Sequence, residues 1–114
     1  MYLWSQISTM NGISATELKD RLAAGTHLIV DIREPYEYEA CNIGSKHIPM
    51  GEICSRVSEL PLDKEIVIMC RSGKRAEAVA NVLISDHNFS NISILQGGIT
   101  AWKDEVDPTL DLEA

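Results

Sequence analysis

Apolar residues along the chain alternate between short unbroken runs and longer stretches where they recur every three or four positions. Residues 27–32 (His-Leu-Ile-Val-Asp-Ile), 66–69 (Ile-Val-Ile-Met) and 91–95 (Asn-Ile-Ser-Ile-Leu) have the length and β-branching of buried strands. Shorter strands are expected at 7–8 and 46–48, the latter stopped by Pro49. Between the runs lie helical spacings. Ser14-Ala15-Thr16-Glu17 reads as a capping box; Leu18, Leu22 and Ala23 then form one stripe, and Gly25 closes the helix. Pro35 starts a short helix to about Ala40, and residues 50–60 form another. Val79, Ala80, Leu83 and Ile84 give a stripe over 76–85, and Gly97-Gly98 turns into a last helical stretch over 99–103. Strands separated by helices predict an α/β domain whose largely parallel sheet is covered on both faces.

The 114 residues show no repeat, low-complexity tract or linker. One domain over 1–114 is expected, with its core at about 7–103 and a frayed acidic tail over 104–114. Ten basic against seventeen acidic residues leave a net charge of −7, which disfavours nucleic acid and anionic membranes as partners. The N-terminal residues lack a basic region leading into an apolar one, and no apolar run reaches membrane-spanning length. Cys41, Cys54 and Cys70 form no C-x-x-C pair, so reduced thiols in a cytoplasmic setting are expected. His27, His47 and His87 are isolated, and neither a metal site nor a cofactor is expected.

The chemistry concentrates after the 66–69 run. Cys70 stands at its end, Arg71-Ser72-Gly73-Lys74-Arg75 forms a cationic turn, and a helix follows. In a parallel sheet, ligands bind beyond the carboxyl ends of the strands. Backbone N–H groups of such a turn, together with a helix N-terminus, stabilise an anion, and the thiolate is the nucleophilic form of cysteine. Arg71 is the side chain expected to orient an anionic substrate, because guanidinium grips two oxygens at once. Lys74 and Arg75 add positive potential or lie on the solvated helix face. Asp31 and Arg33, at the end of the 27–32 strand, are read as structural support or pocket edge. An Arg33–Glu37 ion pair is expected at the following helix start. Cys41 and Cys54 read as inert, the alternative being a resolving thiol. Trp4 and Trp102 read as packing residues.

Three blocks in order resemble the rhodanese (thiosulfate sulfurtransferase) family: Val30-Asp31-Ile32-Arg33-Glu34-Pro35-Tyr36-Glu37-Tyr38, Met69-Cys70-Arg71-Ser72-Gly73-Lys74-Arg75-Ala76, and Leu95-Gln96-Gly97-Gly98-Ile99-Thr100-Ala101-Trp102. The resemblance implies a five-stranded sheet and a six-residue loop, Cys70 to Arg75. It also implies a persulfide on Cys70, loaded by an anionic donor such as thiosulfate and unloaded by cyanide, a small thiol or a protein. The chain departs from the family at Cys41-Asn42-Ile43-Gly44-Ser45-Lys46, where Gly-His-Ile-x-Gly-Ala is common. A cysteine phosphatase or arsenate reductase needs Cys-x5-Arg, and here Ala76 holds that arginine's place. A noncatalytic rhodanese-like binding module is the alternative from a different functional class.

Overall fold

The computed structural model describes residues 11–112. Its elements in chain order are β1 (Gly12–Ile13), α1 (Ala15–Ala24), β2 (His27–Asp31), α2 (Pro35–Ala40), β3 (Lys46–His47), a 3₁₀ stretch (Met50–Glu59), β4 (Glu65–Met69), α3 (Lys74–His87), β5 (Ile92–Leu95) and α4 (Gly98–Glu105). The strands form one sheet in the order β1-β5-β4-β2-β3, and every pairing is parallel. The strand expected at 7–8 and Trp4 lie outside the described residues.

Local chemistry sets most boundaries. Ser14 Oγ accepts the Glu17 N–H at 3.1 Å, and Gly25 ends α1 in the left-handed conformation. Pro35 is the first residue of α2, where its missing N–H costs nothing. α3 starts at Lys74, earlier than its apolar stripe, because Gly73 adopts φ 114 and turns the chain directly into the helix. The 50–60 segment is not a regular helix. It is 3₁₀ and breaks at Arg56 (φ −123), whose side chain pairs with Glu52 and Glu59 on either side.

Buried strand residues point alternately to the two faces. Val30, Ile32, Ile66, Ile68 and Cys70 meet α3 and the 3₁₀ stretch through Ala76, Val79, Leu83 and Ile53. Ile29, Val67 and Met69 meet α1 and α4 through Leu18, Ile99 and Trp102. The sheet is therefore covered on both faces, as the alternation of runs and stripes predicts. The tail differs from expectation: α4 continues to Glu105, and Val106, Leu110 and Leu112 pack against the α1/α4 core rather than fraying. Three apolar side chains spaced among the acids hold it down.

One consequence of the strand order positions the site. The connection leaving β2 runs outward to β3, whereas the one leaving β4 runs the other way, to β5. The carboxyl ends of β2 and β4 thus flank the point where the winding reverses, the place where open α/β sheets bind ligands. Asp31 and Met69 are register partners there, so Cys70 is the first residue past that crevice.

Candidate active site

The loop after β4 is built around the sulfur of Cys70. Its Sγ accepts the Gly73 N–H at 3.0 Å and the Ala76 N–H at 3.4 Å. Both donors come from the first turn of α3 and its cap, so the positive end of the helix backbone faces the sulfur. The thiol is 1% exposed and sits at the floor of the loop, against the α3 core.

The outer side of the loop is held by α4. Ile99 N–H donates to the Cys70 carbonyl at 2.9 Å, and Thr100 donates to the Arg71 carbonyl through its N–H at 3.2 Å and its hydroxyl at 3.1 Å. With their carbonyls fixed outward, the loop peptides are left to aim N–H groups inward. Gly98 permits this approach. A Cβ there would stand 2.4 Å from the Arg71 carbonyl oxygen and 2.5 Å from that of Cys70.

The three loop cations are placed differently. Arg75 makes a two-pronged ion pair with Glu37, at 2.8 and 3.1 Å. That guanidinium holds the Glu37 carboxyl below its ordinary range. The carboxylate in turn, with lesser contributions from negative charge at Cys70 and Glu34, raises Arg75. Lys74 is exposed and makes no ion pair among the described residues. Arg71 is exposed too, and its Nη1 donates to the Leu112 carbonyl at 3.3 Å. It borders a cavity of about 180 Å³ shared with Arg33, Tyr36, Glu37, Ala40, Cys41 and Leu112. Ser72 is exposed beside it on the loop.

Asp31 and Arg33 are paired with each other. Arg33 Nε lies 3.0 Å and Nη2 2.8 Å from the Asp31 carboxylate, and both residues are buried. Arg33 also donates to the carbonyls of Cys41 (2.7 Å) and Glu37 (3.4 Å), tying α2 to the strand end. The expected Arg33–Glu37 ion pair is therefore not formed: Asp31 is the nearer carboxylate, and Glu37 turns to Arg75. His47 Nε2 lies 2.8 Å from the Arg33 carbonyl, and its ring stacks on Tyr38. Cys54 is exposed on the 3₁₀ stretch, whereas Cys41 faces the cavity. Among the described residues no three His, Cys, Asp or Glu side chains are grouped to hold a metal. Three contributors escape the sequence reading: Thr100 as a clamp on the loop, Glu37 as the partner of Arg75, and Leu112 over Arg71. Glu37 and Thr100 had a signal, standing inside the first and third of the three blocks; Leu112 had none.

A rhodanese-like domain model matches residues 14–105. The chain belongs to this family. It is similar to a sulfurtransferase of Allochromatium vinosum, 38% identical over 95 residues that cover 82% of this chain and 88% of that protein. It is 36% identical over 111 residues, 93% of its length, to MoeZ of Mycobacterium tuberculosis, but spans only 28% of that protein. Among solved structures, a rhodanese-related protein from Thermoplasma volcanium superposes with a TM-score of 0.76 at 30% identity, covering 90% of this chain and 99% of that one. No described helix is long and apolar enough to cross a membrane.

Proposed function

We propose that this rhodanese-like chain is a sulfurtransferase that carries sulfane sulfur on Cys70. The supporting observation is the sulfur itself, held at a strand end by two converging backbone N–H groups. Such donors stabilise negative charge without giving up a proton, as an oxyanion hole does. The Cys70 thiolate attacks the outer sulfur of a donor such as thiosulfate. A Cys–S–S bond forms, the donor's S–S bond breaks, and sulfite leaves with the electron pair. An acceptor nucleophile (cyanide, a small thiolate or a protein thiolate) then attacks the terminal sulfur, and the electron pair returns to Cys70. Neither step needs an outside oxidant or reductant.

Arg71 binds the departing anion, with Lys74 adding positive potential, while Ser72 and Gly73 shape the turn. Arg75 serves by fixing α2 against the loop through Glu37. A guanidinium so committed is poorly placed to clamp a tetrahedral oxyanion, which disfavours a phosphatase. Asp31 and Arg33 hold the strand end in place. Three free thiols favour a reducing, cytoplasmic compartment.

Intact mass spectrometry after thiosulfate treatment tests the reading. The protein should gain about 32 Da, the mass of one sulfur, in a form removed by cyanide. Cys70→Ser should gain nothing. An unmodified wild-type protein would instead support a noncatalytic binding module.

A further inference from the structure

The residues following α4 pack back on the α1/α4 face and end beside the exposed Arg71 of the loop. Thr109 N–H donates to the Asp107 carboxylate at 3.1 Å and Leu110 N–H to the Asp107 carbonyl at 3.3 Å, which turns the chain back after the helix. Val106, Leu110 and Leu112 then lie half-buried against the core on the α1/α4 face. At the end of this path the Leu112 carbonyl takes a hydrogen bond from Arg71, and Leu112 borders the cavity that Arg71 opens onto.

We propose that residues 106–112 form an autoinhibitory strap, whose Leu112 carbonyl occupies Arg71 and has to be displaced by an anionic sulfur donor. This deepens the reading of Cys70 and Arg71 given above. The contact suits displacement. A neutral carbonyl at 3.3 Å is a modest acceptor, whereas a donor dianion can take two charge-assisted hydrogen bonds from the same fork. The apolar anchors return the segment once the anion leaves. The strap thereby slows reaction with anions more than with neutral reagents of equal size.

The test compares alkylation of Cys70 by iodoacetate, an anion, and by iodoacetamide, its neutral counterpart. Both are followed by peptide mass mapping on the full chain and on Leu110→Ser/Leu112→Ser, which loses the anchors. In the double variant the iodoacetate rate at Cys70 should rise about five-fold, the scale of one modest hydrogen bond. The iodoacetamide rate should change by less than roughly two-fold on the same scale. Leu112→Ser alone should fall between. Cys54, exposed and distant in sequence from the strap, is the internal control for folding, and its rates should not move. An unchanged iodoacetate rate overturns the strap, and so does an equal rise with both reagents, which reports general loosening. The two readings fail separately. Anion-selective acceleration without persulfide formation would refute sulfur transfer and keep the strap. Persulfide formation with unchanged iodoacetate rates would do the reverse.

Discussion

Arg33 shows what a single buried charge does in this fold. Its side chain is 4% exposed and faces the fully buried Asp31 carboxylate, so neither charge has water to fall back on. Removing one partner strands the other. Asp31→Asn should therefore cost roughly 3–5 kcal/mol in chemical denaturation, far more than the loss of an exposed pair such as Arg21–Glu17. A loss below about 1 kcal/mol would mean that carbonyls of Cys41 and Glu37 satisfy Arg33 alone. The sequence already marks both residues as strand-end groups in need of partners. It does not say which partners, because helical spacing also offers Glu37 to Arg33, and only the turn after β2 folds that guanidinium back onto Asp31. The Ser14 cap was legible for the opposite reason: its partner lies three residues away, within one helical turn.

At the scale of elements, the site is a loop pressed between two helix N-termini. α3 supplies donors to the sulfur, and α4 clamps the loop carbonyls from outside. Gly98 is the contact point, and it sits at φ 62 as well as within 2.4 Å of backbone once a Cβ is added. Gly98→Ala should lower stability by about 2 kcal/mol or more, from left-handed strain plus the forced separation of α4 and the loop. Persulfide loading of Cys70 should fall with it. Gly44→Ala is the comparison: φ is +76, but the added methyl meets nothing within 4 Å, so only the conformational cost of about 1 kcal/mol applies. Equal losses for the two variants, by thermal melts, would refute the clamp. Gly97-Gly98 was readable in the sequence as a turn. The closeness of Gly98 to Cys70 was not, since 27 residues, a helix and a strand among them, intervene. The tail misled for a related reason: its acids advertise solvent, while Val106, Leu110 and Leu112 gain burial only once a core exists to receive them.

Across the whole molecule, acid should loosen the fold by undoing carboxylate ion pairs, among them Lys46–Glu59 and Arg75–Glu37, which join separate elements. Arg56 and Lys46 hold Glu59 down to about 2, and Arg75 holds Glu37 below its ordinary value of 4.5. Both carboxyls are depressed on folding, so their contribution is complete above pH 4.5 and is lost as pH falls through the depressed values. Glu37→Gln/Glu59→Gln should show a shallower decline of unfolding free energy between pH 4.5 and about 2 than the parent. Superimposable acid limbs would show that neither pair acts on folding.

Taken alone, the sequence determined the alternation of strands and helices, their caps, and a cysteine at a strand end followed by a cationic turn, because all of these are local in the chain. The tertiary structure decided the strand order that puts β2 beside β4 and makes their ends a crevice. It also decided where the cations go: Arg33 to Asp31, Arg75 to Glu37, and Arg71 to the cavity edge beside the Leu112 carbonyl. Charges choose partners by distance through space, and those distances exist only after the sheet has assembled.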